Sequence, residues 1–144
     1  MLNYGEPTIS KLQINKILSI LKKKSITQGK EVEKFEKSLS KKFKCKYCLV
    51  VSSGTAALHL AGKSLGWKKK DIVVCTPITF VASCNSIIYN KAKPYFIDIS
   101  LKNNNLDIDK LGECLKDFNR KKKRIKAVVV TDLGGSLADW SKLC

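Results

Sequence analysis

Six residues, Ser52-Ser53-Gly54-Thr55-Ala56-Ala57, join a short apolar run to a segment with helical spacing. A helix N-terminus presents unpaired backbone N–H groups and the positive end of the helix dipole, so it receives anions well. Gly54 lets a ligand come close to the backbone, and the Thr55 hydroxyl adds a donor. The same residues also fit an ordinary Ser/Thr N-cap with no ligand. Local chemistry leaves both readings open, a phosphate cradle and a plain cap.

Other groups compete for chemical roles. Phe80 opens a second strand-to-helix junction, where an aromatic ring either stacks on a planar cofactor or fills core. Asp132 follows an apolar stretch and precedes Gly134 and Gly135. Asp98 also ends an apolar stretch and could cap the turn after it. His59, the only His, sits between Leu58 and Leu60 and reads as a surface or packed residue rather than a catalyst. Gly62-Lys63-Ser64 looks like the end of a Walker A loop, but the first Gly of that pattern would fall at Ala57, and the surroundings read as helix. No G-x-G-x-x-G occurs. Cys45-Lys-Tyr-Cys48 lacks the second pair a zinc ribbon needs and runs into a strand rather than a helix, so a structural role outweighs a redox one. Cys75, Cys84 and Cys114 lie in apolar patterns as small core residues, and no metal-ligand set is expected.

The elements that would position these groups follow from periodicity. Ile9, Leu12, Ile17, Ile20 and Leu21 recur at helical spacing behind a capping box, Ser10 with Gln13. Lys22–Lys24 close that helix, and Ser25 to Gly29 form a loop. Val32, Phe35, Leu39 and Phe43 mark a second amphipathic helix. Tyr47–Val51 is then expected as a strand buried on both faces. Ala56 to Leu65 is a helix, Ile72–Cys75 a strand, and Thr76-Pro77-Ile78-Thr79 a turn into a helix carrying Phe80, Val81, Cys84, Ile87 and Ile88. Tyr95–Ile99 is a third strand, Leu111 to Phe118 a helix, and Ala127–Val130 a fourth strand. A last helix begins near Asp139. The alternation predicts an α/β fold, a mostly parallel sheet between two layers of helices, with a helical entry segment over 1–46 and the alternating part over 47–144. Ligands of such sheets bind at the carboxyl ends of strands. Ser52–Thr55, Thr76–Thr79 and Thr131–Gly135 should therefore share one edge.

Composition excludes several classes. The 144 residues are 44% hydrophobic and 28% charged, which is globular. No apolar run is long enough to span a bilayer, and no secretory leader is visible, so a cytoplasmic chain with reduced thiols and no membrane partner is expected. The net charge of +16 raises nucleic-acid binding as an alternative. Against it, 26 of the 28 basic residues are Lys, and they are spread over several clusters. Thirteen Ile and eight Asn accompany them, as A/T-rich codons would produce. Arg120-Lys-Lys-Lys-Arg124 reads as a solvated loop.

Taken in order, several stretches resemble the DegT/DnrJ/EryC1/StrS family of sugar aminotransferases. They are Ile26-Thr27-Gln28-Gly29-Lys30 with Val32 to Glu36, Val51 to Leu60, Thr76 to Asn85, Lys93 to Ile99, and Asn105 to Ile108. The resemblance implies a three-layer αβα fold of type I, with this chain as the N-terminal part of the large domain. It implies pyridoxal 5'-phosphate as cofactor, its phosphate held by Gly54, Thr55 and Ala56 and its ring stacked on Phe80. Thr27, Gln28, Gly29, Asn85 and Asp132 would lie near the substrate or the dimer contact. Glutamate would be the amino donor, a nucleotide-linked keto-sugar the acceptor, and a homodimer the assembly. Thr131-Asp132-Leu-Gly-Gly135, followed by Asp139-Trp140, is closer to the branch that aminates a UDP-4-keto-6-deoxy sugar for pseudaminic acid. The family's Schiff-base Lys belongs to a later motif, so no catalytic residue is expected here. The chain should be inactive alone, as a truncated or frameshifted frame would be. A non-catalytic remnant is the other alternative.

Overall fold

The computed structural model describes residue 5, residues 7–23, 26 and 27, and 29–144, in two units, Met1–Val50 and Val51–Cys144. The first unit holds helices α1 (Lys11–Leu21) and α2 (Lys30–Phe43). The capping box forms: Gln13 N–H donates to Ser10 Oγ at 3.3 Å, and Ser10 N–H to Gln13 Oε1 at 2.6 Å. Lys22 is the C-cap of α1, while Lys24, Ser25 and Gln28 lie outside the described residues. Glu31, in the first turn of α2, faces Lys16 at 3.4 Å and Lys23 at 3.6 Å on α1 and its flank. The Lys16 ammonium foremost, with Lys34 one turn along α2, holds the Glu31 carboxyl below its usual range. The pairs are exposed and screened, so they orient the helices more than they stabilise them.

The strand expected over Tyr47–Val51 does not form. The segment has no regular secondary structure and pairs with no described strand, and Tyr47 and Leu49 are 79% and 73% exposed. Val50 N–H instead donates to the Glu36 carboxylate at 2.9 Å. A strand needs a neighbouring backbone, and an apolar run specifies burial without specifying the partner.

The second unit runs α3 (Gly54–Ser64), β1 (Ile72–Cys75), α4 (Ala82–Tyr89), β2 (Lys93–Phe96), α5 (Ile108–Arg120), β3 (Ile125–Val128), a single 3-10 turn (Leu133–Gly135) and α6 (Trp140–Leu143). The sheet order is β2-β1-β3, all parallel. Ile72 lies beside both Lys93 and Ile125. Alternation along β1 divides the core. Val73 and Cys75 pack with Ile87 and Ala92, while Val74 packs with Ile97, Leu106 and Leu111 on the opposite face. Burial, with the neighbouring Cys84 thiol adding to it, pushes the Cys75 thiol up to about 12, which fits the core role expected of it.

Two strands sit two residues earlier than periodicity places them. β2 begins at Lys93 and includes Pro94, which an edge strand tolerates because no neighbour needs its missing N–H. β3 begins at Ile125, and Val129 N–H extends its ladder to Val74 O at 2.8 Å. Gly62-Lys63-Ser64 is helix, as expected. Gly62 is buried where a Cβ would come within 2.4 Å of the Trp67 ring and 2.6 Å of Asn90 Nδ2.

Gly62→Ala should therefore destabilise the unit by about 1–3 kcal/mol through overpacking. Gly112, in α5, faces open space. Gly112→Ala should stabilise by about 0.5–1 kcal/mol through helix propensity. Urea denaturation of both variants checks the pair of opposite signs.

Candidate functional site

The carboxyl ends of β1 and β3 and the N-terminus of α3 enclose an open cleft of about 560 Å³. All three junctions singled out in the sequence reach it, through Ser53–Thr55, Thr79 and Phe80, and Thr131–Gly134. Ser53 is the N-cap of α3, and its Oγ accepts the Ala56 N–H at 3.1 Å. Ala57 N–H bonds to Ser53 O. The N–H groups of Gly54 and Thr55 have no acceptor among the described residues. A Cβ built on Gly54 would meet nothing within 4 Å, so the mouth of the helix is clear for a ligand. These are the features an anion needs: free donors, dipole and access.

Phe80 lies in the turn before α4 rather than in the helix, and it is 74% exposed. The core reading of this ring is overturned. Thr76 Oγ1 donates to Ile78 O at 3.3 Å and braces that turn. Thr79 Oγ1 lies 2.9 Å from Thr131 Oγ1 and 3.2 Å from Ser83 Oγ. That chain of hydroxyls gives the cleft a polar wall and ties the ends of two strands.

Asp132 stays exposed on the cleft and acts as a clasp. Its Oδ1 accepts from Ala138 N–H at 2.8 Å and from Trp140 Nε1 at 3.2 Å. A second clasp was not legible. Asn105, 1% exposed, donates through Nδ2 to Ser136 O at 2.8 Å and accepts Leu133 N–H at Oδ1 at 3.0 Å. It closes the turn that forms one side of the cleft. Three consecutive Asn, 103–105, look like loop composition, and only the third is buried, so spacing gave no signal.

The remaining candidates are elsewhere. Asn85 is half-buried in α4 and does not line the cleft. Thr27 and Gly29 belong to the first unit, where Gly29 is the N-cap of α2, and Gln28 lies outside the described residues. His59 is half-buried and packs edge-on against Tyr89, with centroids 5.7 Å apart. Asp98 accepts Ile99 N–H at 2.8 Å and meets Lys110 at 3.3 Å, which together hold its carboxyl below the usual range. It is a turn cap. All six cysteines are free, and among the described residues no three His, Cys, Asp or Glu converge on a metal position.

A parallel αβα unit with free N–H groups at a helix mouth and an exposed aromatic at one strand edge has the architecture of the N-terminal portion of fold type I aminotransferases. The solved structures agree. A putative sugar aminotransferase from Streptococcus pneumoniae superposes with a TM-score of 0.87 at 25% identity, over 99% of this chain and 34% of that one. Helicobacter pylori PseC, described as an aminotransferase in pseudoaminic acid biosynthesis, gives 0.86 at 28% identity, over 97% and 36%. The DegT/DnrJ/EryC1/StrS aminotransferase family model matches residues 7–144, and the chain belongs to that family. A UDP-4-amino-4,6-dideoxy-N-acetyl-beta-L-altrosamine transaminase of Campylobacter jejuni is 36% identical over 143 residues, 99% of this chain and 37% of that protein. Bacillus subtilis SpsC, named for spore coat polysaccharide biosynthesis, is 35% identical over 99% of this chain and 35% of its own length. The chain thus spans little more than a third of these relatives.

Asn105→Leu keeps the volume but leaves Leu133 N–H and Ser136 C=O without their partner. A buried polar group left unsatisfied costs about 1–3 kcal/mol. The variant should unfold at lower urea by that amount, and the Leu133 amide should exchange with deuterium much faster than amides of β1.

Proposed function

We propose that this chain forms the cofactor-phosphate half of a pyridoxal-phosphate-dependent transaminase of nucleotide-linked keto-sugars, with glutamate as amino donor. The observation that carries the reading is the meeting, in one cleft, of the free N–H groups at the start of α3 and the exposed ring of Phe80. The residues fit the cofactor: Gly54 leaves room where a phosphate would come, and an aromatic face stands near it. When bound, pyridoxal phosphate supplies an electron sink through which an amino group changes carbon.

The chain's own residues then have defined tasks. Gly54 and Thr55 donate backbone N–H groups to the phosphate, and Thr55 adds its hydroxyl. Ala56 N–H, engaged by Ser53 Oγ, fixes the first turn so that the two donors before it stay aimed outward. Phe80 offers a face to the pyridine ring. Thr79 and Thr131 keep one wall polar, and the Asp132 and Asn105 clasps hold that wall in place. A UDP-4-keto-6-deoxy sugar as acceptor is supported by the names of the Campylobacter relative and the Helicobacter neighbour. Thr27, Gln28, Gly29 and Asn85 would serve the substrate or the contact of a cytoplasmic homodimer. Basic residues elsewhere give no anchor for the cofactor's aldehyde, because no Lys lines the cleft.

Two outcomes test this. The 144-residue chain should show no turnover of any keto-sugar with glutamate and pyridoxal phosphate, and measurable turnover would refute that part. Cofactor affinity, followed by quenching of tryptophan fluorescence, should fall about 10- to 150-fold in Thr55→Val, the loss of one hydrogen bond to a charged group. Lys63→Met should change it little. Should Lys63→Met abolish binding while Thr55→Val leaves it intact, the phosphate assignment fails.

A further inference from the structure

We propose that the edge of the sheet opposite the cleft is a docking surface for anionic lipid headgroups. Three parallel strands start on this edge, flush at Ile72, Lys93 and Ile125. Each is entered through lysines: Lys68–Lys70 before β1, Lys91 and Lys93 at β2, and Arg120–Arg124 before β3. All are exposed. The acids beside them are Asp71, which accepts the Lys68 N–H at 3.0 Å, and Asp117, which pairs with Lys121 at 2.6 Å. The cleft edge is less basic, with Asp98, Asp107, Asp109, Asp132 and Asp139 near it against Lys102, Lys110 and Lys142, the last two in ion pairs with Asp98, Asp107 and Asp139.

Two bland explanations account for part of this. A/T-rich codons explain many lysines, and helix dipoles favour a cation at each helix C-terminus. Neither explains the backbone. Lys44 takes left-handed backbone once in the other unit, at the C-cap of α2 with φ 51°; in this unit Lys70, Lys91 and Lys122 do so together, with φ of 81°, 62° and 52°. Each stands in the turn that feeds one of the three strands. Lys91 and Lys122 occupy the left-handed position after α4 and α5, with the paired capping bonds to Ile88 O and Ile87 O, and to Asn119 O and Phe118 O. Gly fills the equivalent place after α3, at Gly66 with φ 70°. Gly or Asn is preferred there. Asn has equally A/T-rich codons and adopts the conformation more easily. What Lys has and Asn lacks is a charge on a long stem.

The form of the edge selects the partner. Lys dominates over Arg, and three turns make a broad array without a helix or ribbon to enter a groove. Tyr89 and Tyr95 stand exposed beside Lys91 and Lys93, but no groove lines them up as a stacking track for successive bases. A diffuse lysine array suits a flat anionic surface, where each Lys contributes without bidentate geometry. No helix among the described residues is long and apolar enough to cross a membrane, but a polybasic surface needs none. The four-residue strands put the cleft about 13 Å from this edge, so an adsorbed unit keeps its cleft toward water.

Flotation with vesicles tests the proposal, because bound protein rises while aggregates sink. The chain should float with phosphatidylcholine vesicles containing phosphatidylserine, not with phosphatidylcholine alone, and should be released at about 1 M salt, where the screening length is about 3 Å. Each Lys at an anionic surface is worth about fivefold in partitioning. The variant Lys70→Asn/Lys91→Asn/Lys122→Asn should therefore bind about 100-fold more weakly while unfolding at the same or higher temperature. Equal flotation of variant and parent, or of neutral and anionic vesicles, overturns the proposal. Tighter binding to a single-stranded oligonucleotide than to the vesicles, lost in the same variant, also overturns it in favour of nucleic acid. None of these readings involves the cofactor, so failure here leaves the transaminase assignment standing, and the reverse.

Discussion

β1 is buried on both faces and hydrogen-bonded on both sides, and the second unit is organised by that one strand. Val73 and Cys75 anchor one helical layer, Val74 the other, so a one-residue slip would exchange the two cores. Its neighbours run in the same direction, and parallel neighbours need a crossover between them. Every helix that serves as a crossover then returns antiparallel to the strands. One edge of the sheet receives strand ends and helix beginnings, and the other receives helix ends and strand beginnings. Cleft and lysine edge are two consequences of a single direction.

The cleft edge is irregular backbone, and irregular backbone needs side chains to satisfy it. Asn105, Asp132 and Thr79 do this work in place of a ladder. Asn105 bonds both ends of the 133–136 turn, Asp132 reaches Ala138 and Trp140, and Thr79 joins Thr131. The acid at the strand end braces the wall through one oxygen, Oδ1, while it lines the cleft. The amide that looked like loop filler fixes the wall. A polar side chain at a strand end therefore has to be read by its partners, because residue type does not distinguish a reacting group from a brace.

Most elements were legible because their signals are local. Ser10 with Gln13, the stripe of Leu111 to Phe118, and the Asp139 cap of the last helix each depend on residues within one or two turns. The shared edge of the three junctions was legible too, since alternation alone implies parallel strands. What failed depends on distant backbone. Tyr47–Val51 has the composition of a buried strand and no described strand beside it. β2 starts at Lys93 because its register is set by Ile72 and not by where its apolar residues begin. Phe80 was ambiguous between core and cofactor face, and only its exposure in the turn before α4 decides against the core.

Two exceptions to apolar inside and polar outside bear on the cleft: the exposed Phe80 in its lining, and the buried Asn105 that holds the turn forming one side. Lysines in left-handed backbone break the turn rules, and in this unit they all fall on the opposite edge. The central strand and the helix faces against it obey every rule, with apolar side chains in the expected period and Gly62 where nothing larger fits. At the cleft the exceptions expose a ring and free two N–H groups, which suits a planar anion. At the far edge they extend charge into solvent at a conformational cost, which suits a partner met over an area and not in a pocket.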